Sequence, residues 1–142
     1  MESKVNFKTL IGIFAGIIFV IVLQQYLLPL ILKPSFDTQL IQLASDINKN
    51  LPMIVDAETR WDNTVVLPGK TVLYNYTLIN YSKVDIDTIV FRSNMEPQIK
   101  NMVKTNPQLK VFRDNDVTFM YNYKDKVGVH ITQFIFYPKD YK

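Results

Sequence analysis

Beyond residue 33 the apolar positions recur with two different periods. In FDTQLIQLASDINKN, Phe36 to Asn50, the apolar residues Phe36, Leu40, Leu43, Ala44 and Ile47 fall at i, i+4, i+7, i+8 and i+11, one face of an amphipathic helix. Ser35 stands where an N-cap side chain belongs, and Leu51-Pro52 ends the helix because proline biases the residue before it away from helical angles. Two runs rich in β-branched and aromatic residues follow, Asn63 to Leu67 and Thr71 to Tyr81. Separated by Pro68-Gly69-Lys70, they predict a β-hairpin. In the second run Val72, Tyr74, Tyr76 and Leu78 share one face, with Leu73, Asn75, Thr77 and Ile79 on the other.

Asp85 or Asp87 caps a helix through IVFRSNMEPQIKNMVKT, whose apolar side is Ile89, Val90, Ile99, Met102 and Val103. Pro97 either kinks it or opens a second helix. Asn106-Pro107 stops it, and QLKVFRDN reads as a helical turn or a loop. A second hairpin closes the chain: VTFMYNY, the turn KDKVG, then VHITQFIFY. The order helix, two strands, helix, two strands predicts an α+β domain over residues 33–142, a two-layer fold with a four-stranded antiparallel sheet and helices on one face.

Before residue 33 the pattern changes. From Thr9 to Leu32 no residue is charged, and a run of this length spans a bilayer core at the helical rise. Lys4 and Lys8 in front of it also describe a signal peptide. The run exceeds the roughly 7 to 15 residues of a signal h-region, and no small-x-small cleavage site follows, which favours an uncleaved anchor. The expected organisation is a tail over 1–8, a transmembrane helix over 9–32 and the α+β domain, in a single-pass protein of the inner membrane with its N-terminus cytoplasmic and its domain extracytoplasmic. Gly12 and Gly16 form a GxxxG that would let two such helices pack closely as a homo-oligomer. Glycine is also simply common in membrane helices.

Charge and composition narrow the classes. The pI near 9.0 suggests nucleic acid, but after Lys33 thirteen basic residues face twelve acidic ones and no dense basic block occurs, so the phosphate-binding footprint is missing. The chain has no cysteine, which excludes thiol catalysis, cysteine-ligated zinc and lipobox attachment. Its one histidine, His130, reads as a strand residue, and neither Asp85 with Asp87 nor Asp114-Asn115-Asp116 has the remaining spacing of a calcium loop. Four glycines make no GxGxxG, Walker or nucleophile-elbow pattern. No cofactor or metal is expected.

LPMIVDAETRWDNT, YNYTLIN, MEPQIKNMVKTNP and FRDNDVTFMYNYKDKVG, in that order, resemble an uncharacterised family of small bacterial, Bacteroidetes-like, membrane-associated or exported proteins with a motif close to LPMMVDxDTRLDNT. The resemblance covers roughly Ala44 to Tyr137 and implies no reaction, cofactor or catalytic residue. Ile54 and Trp61 depart from that motif, which has Met and Leu there; both swaps keep an apolar side chain, as buried positions tolerate.

Two features carry the functional alternatives. Asp56, Glu58 and Arg60 would point one way along a strand, as an acid/base pair held ionised by Arg60 or as a surface ion-pair ladder. Tyr74, Tyr76, Tyr121 and Tyr123 would form a same-face aromatic array across paired strands, as a partner-binding face or as cross-strand core packing. Trp61 either plugs the core or anchors a partner. The preferred expectation is a non-enzymatic protein-interaction or accessory domain of an envelope complex with a protein partner. A small-molecule binder or enzyme using Asp56, Glu58 and Arg60, or a homo-oligomeric structural membrane protein, is the alternative.

Overall fold

The computed structural model describes residues 35–142, together with Ile21 and Gln25. Its elements are α1 (Phe36–Asn48), β1 (Met53–Ile54), β2 (Thr59–Leu67), β3 (Thr71–Leu78), α2 (Thr88–Thr105), α3 (Lys110–Asp114), β4 (Thr118–Lys124), β5 (His130–Phe136) and α4 (Pro138–Tyr141). Short 3-10 turns lie at Lys83–Asp85 and Pro107–Leu109. Of the two capping candidates Asp87 serves α2, its carboxylate accepting from the Ile89 and Val90 N–H groups. Pro97 lies inside α2, which continues through it as one helix.

The expected four-stranded antiparallel sheet is corrected by the pairing: the sheet has five strands in the order β1-β2-β3-β4-β5 and is mixed. β3 and β4 run parallel, and every other neighbouring pair is antiparallel. The physical reason lies in the connection. Between β3 and β4 the chain leaves one end of the sheet, passes through α2 and α3, and re-enters at the opposite end, which a crossover does and a hairpin cannot. The added strand β1 has only two residues, paired with Trp61 and Arg60.

One face of the sheet carries the core. Val72, Tyr74, Phe119, Tyr121, Tyr123, Phe134 and Phe136 are buried there with Leu40 of α1, Ile99 and Val103 of α2, Phe112 of α3 and Tyr141 of α4. Burying such side chains contributes about 1.5 to 3 kcal/mol each. Tyr141 fastens the last helix by donating to the Val117 carbonyl at 2.7 Å. At the far end of the sheet Asp125, 2% exposed, accepts from the N–H groups of Lys83 (2.9 Å), Val127 (3.0 Å) and Val129 (2.8 Å) and ties the β4–β5 turn to the segment after β3. Gly128 in that turn has φ +89°, a conformation L side chains rarely adopt.

The expected membrane helix over 9–32, with Gly12 and Gly16, lies outside the described residues. Among the described residues no helix is long and apolar enough to cross a membrane. The longest of α1 to α4 is α2, and it carries Arg92, Glu96, Lys100 and Lys104 along its length. The expected placement as a single-pass inner-membrane protein is therefore corrected: nothing in the described fold supplies the span it requires.

Candidate functional site

β3 and β4 each contain the tripeptide Tyr-Asn-Tyr, and their parallel register sets Tyr74 beside Tyr121, Asn75 beside Asn122 and Tyr76 beside Tyr123. Strands lie about 4.8 Å apart, close to the spacing of stacked rings, so like side chains on one face stack. The ring centroids of Tyr74 and Tyr121 are 5.1 Å apart with planes at 16°, and those of Tyr76 and Tyr123 are 5.2 Å apart at 18°. Trp61 of β2 extends the row, 5.6 Å from Tyr74 and 6.0 Å from Tyr76. Phe91 of α2 closes its far end, edge-on to Tyr123 at 5.4 Å. The five residues singled out in the sequence thus form one continuous platform on the helix-bearing face.

The helical layer does not cover this platform fully. Between the end of α1 and the α2–α3 corner lies a cavity of about 410 Å³, floored by Trp61, Tyr74, Tyr76 and Tyr121. Ile47, Leu51 and Met53 wall it on one side, with Met102, Leu109 and Phe112 on the other. Polar groups are few at the rim: Asn50, Asn106 and Gln108. A slot of this size, mostly apolar with a few polar groups, has the make-up of a binding cavity.

The tyrosine hydroxyls sharpen the picture. Tyr74, Tyr121 and Tyr123 are 5%, 2% and 5% exposed, yet neither their hydroxyls nor that of Tyr76 make a hydrogen bond among the described residues. The buried side-chain polar atom without a partner among the described residues is Thr64 Oγ1, so these hydroxyl oxygens keep contact with solvent. Burial raises all four phenols above their ordinary value of 10.0, Tyr123 to about 12, with the negative charge of Asp56 adding to its shift. They remain neutral O–H groups at physiological pH, and those of Tyr74, Tyr76 and Tyr121, which line the slot, can donate to carbonyl or carboxylate oxygens brought into it.

Asp56, Glu58 and Arg60 are not brought together as the sequence suggested. Asp56 lies in the β1–β2 turn and accepts from the Glu58 N–H at 2.8 Å, while Glu58 accepts from the Asn80 amide at 2.7 Å. Arg60 turns to Asp62, Nε to Oδ1 at 2.6 Å, and the other oxygen of Asp62 accepts from the Thr77 hydroxyl at 2.6 Å. Arg60 and Asp62 are two residues apart on β2, and Asp62 is the residue skipped in the pairing with β3 at a bulge between Trp61 and Asn63. Asp56 and Glu58 instead border a second groove of about 500 Å³, with Asp85 and Asp87, over Leu78, Phe91, Met95 and Tyr123.

On the opposite face of the sheet an amide row crosses four strands. Asn75 donates to Asn63 at 2.8 Å, Asn122 donates to Asn75 at 2.9 Å, and Asn122 Oδ1 lies 3.0 Å from His130 Nδ1. Both amide functions of Asn122 are then engaged, and in this orientation its oxygen accepts from a His130 ring that carries a proton on Nδ1. No group of three or more His, Asp or Glu that could hold a metal occurs among the described residues. Sequence reasoning missed the α1 and α2–α3 contributions to the slot. Met53, Met102 and Leu109 give no signal beyond apolarity, and only the tertiary arrangement sets them opposite one another.

The sequence model of a family described as Domain of unknown function (DUF8479) matches residues 35–131. Comparison with curated proteins gives no match. Solved structures share the fold. A Pseudomonas aeruginosa protein described as secreted superposes with a TM-score of 0.58 at 13% identity, covering 78% of this chain and 99% of its own. The Vibrio vulnificus pilotin of the type 2 secretion system gives 0.59 at 8% identity, covering 75% and 91%. The type II secretion pilotin of Vibrio cholerae gives 0.53 at 11%, covering 73% and 90%.

Proposed function

The chain belongs to this family of domains of unknown function, and from that premise we propose that it is a non-enzymatic protein-binding module, an accessory component of an envelope complex. Its slot receives an apolar segment of a partner protein. The observation that carries this reading is the row of unpartnered tyrosine hydroxyls under an open apolar cavity. The apolar body of the segment would cover Trp61 and the ring faces, and its backbone or side-chain oxygens would accept from the hydroxyls. The fold shared with two secretion pilotins supports the class of function, since those proteins serve an envelope machine. An enzyme built on Asp56, Glu58 and Arg60 loses its basis, because Arg60 is engaged by Asp62.

Photocrosslinking tests this in the native cell. A photoreactive residue at Met102, in the slot, is expected to give one discrete protein adduct, and the same residue at Gln133, on the opposite face, to give none. Adding Trp61→Ala abolishes the Met102 adduct while the fold, followed by circular dichroism, persists. Equal adducts from both positions, or none from Met102, overturn the proposal.

A further inference from the structure

The second groove lies apart from the slot, at the other end of the aromatic row. We infer that it docks a cationic amphipathic segment of a partner protein, apolar side chains entering the groove and Lys or Arg side chains meeting its rim. The inference rests on the protein-binding reading only for the class of occupant.

Four carboxylates, Asp56, Glu58, Asp85 and Asp87, line an opening whose floor is Leu78, Phe91, Met95 and Tyr123. Each accepts a local hydrogen bond: Asp56 and Glu58 as described, Asp85 from the Ser82 N–H at 3.2 Å, Asp87 from the start of α2. None has a cationic partner among the described residues. The ion pairs among the described residues are made by Asp46, Asp62, Glu96, Asp114 and Asp116. Four uncompensated negative charges about an apolar floor favour a positively charged occupant and disfavour an acidic one by like-charge repulsion.

A second observation comes from Tyr123. It reaches this groove 5% exposed, and its hydroxyl has no hydrogen-bond partner among the described residues. A segment lying in the groove would supply one. A third comes from the apolar side chains that continue outward past the rim. Val84 is 92% exposed, Ile89 79% and Val90, which itself lines the groove, 51%. A metal ion or a small organic cation would leave these side chains in water, whereas an amphipathic helix covers them while its basic residues reach the carboxylates.

The methionines report on the two cavities separately, because Met95 lines this groove and Met53 and Met102 line the slot. The full chain, labelled at its methionine methyl groups, is titrated with two designed amphipathic helices about 18 residues long, identical in their leucine face and bearing either lysine or glutamate on the polar face. The lysine peptide is expected to shift the Met95 methyl resonance, and the glutamate peptide to leave it in place. The double variant Glu58→Gln, Asp85→Asn keeps the acceptor oxygens used by Asn80 and Ser82, so it folds, and it weakens the lysine peptide about tenfold, as does raising the salt. A Met95 resonance that responds equally to both peptides, stays unmoved by the lysine peptide, or is indifferent to the double variant overturns the inference. Shifts confined to Met53 and Met102 leave the slot reading standing while this one falls, and shifts confined to Met95 support this one, the slot reading standing or falling separately on the Met102 crosslink.

Discussion

Asn48 and Thr64 exchange two hydrogen bonds of 2.7 Å, Nδ2 to the Thr64 carbonyl and the Thr64 N–H to Oδ1. A side-chain amide on α1 thereby does for β2 what a neighbouring strand does elsewhere. β1 covers β2 only at Arg60 and Trp61, and beyond it this edge would be bare. Asn48→Ala strands both backbone groups and is expected to cost about 2 kcal/mol, read as a lower urea midpoint at unchanged m. An unchanged midpoint would show that water replaces the amide without loss.

The tyrosine platform separates ring from hydroxyl. Tyr121 is 2% exposed and its hydroxyl is unpartnered, so Tyr121→Phe is expected to change stability by less than about 0.5 kcal/mol. Tyr121→Ala removes a ring stacked on Tyr74 and is expected to cost about 3 to 5 kcal/mol. Chemical denaturation of both variants checks the contrast. If the hydroxyl serves the partner, Tyr121→Phe weakens the Met102 crosslink while folding normally.

Tyr123 and Asp125 contribute to opposite limbs of the stability profile in pH. Tyr123 ionises at 10.0 in the unfolded chain but at about 12 in the fold, because burial and then the Asp56 charge oppose the phenolate. Its contribution is complete below pH 10.0 and disappears as pH rises through about 12. Burial alone would raise the Asp125 carboxyl, but backbone N–H groups outweigh it and hold the acid below its ordinary 3.8. Its contribution is present above pH 3.8 and fades as pH falls through the folded value. Urea midpoints at about pH 3, 7 and 11 are expected to peak at the middle value. Tyr123→Phe makes the alkaline limb shallower, the raised Tyr74, Tyr76 and Tyr121 phenols keeping the rest of it, and Asp125→Asn makes the acid limb shallower.

The Asn122 oxygen, 3.0 Å from His130 Nδ1, favours the tautomer that carries its proton on Nδ1. Asn122→Leu removes that acceptor, and the Nε2-protonated form is expected to rise, visible in the imidazole nitrogen shifts. A tautomer ratio equal in both proteins would mean that the Asn122 contact does not set it. The same variant breaks the bond to Asn75, at an expected cost of about 1 kcal/mol.

Much of the domain was legible because local pattern and burial agree. The helical face of Phe36, Leu40 and Ala44, the alternation of Val72, Tyr74, Tyr76 and Leu78, and the cap at Asp87 all state a period or a hydrogen bond in consecutive residues. The direction of β4 beside β3 is stated nowhere locally. It depends on how the α2–α3 crossover returns, and two separate hairpins fit the same pattern. The carboxylate that takes Arg60 was not singled out: strict two-residue alternation sets Asp62 beside Arg60 as readily as Glu58, and it is Asp62 that pairs with the guanidinium. β1 is too short to show any period. The tyrosine row was foreseen as an array, but whether it would be core or binding surface depended on the gap between α1 and the α2–α3 corner, a property of packing alone.

The repeated Tyr-Asn-Tyr has a further meaning once the strands carrying it are parallel and in register. Like residue over like residue, tyrosine on tyrosine and asparagine on asparagine, is the arrangement by which identical strands grow into fibrils. Within one chain the domain builds two strands of such a ladder; the asparagine row runs on to Asn63 in β2, but the tyrosine rows stop. Opposite the tyrosines the next strand on one side offers Trp61 and Thr64, and on the other Thr132 and Phe134, shapes that do not repeat them. β2 and β5 therefore act as terminators. A chain from which β5 had peeled away would present β4 as a self-complementary template to any other copy in the same state.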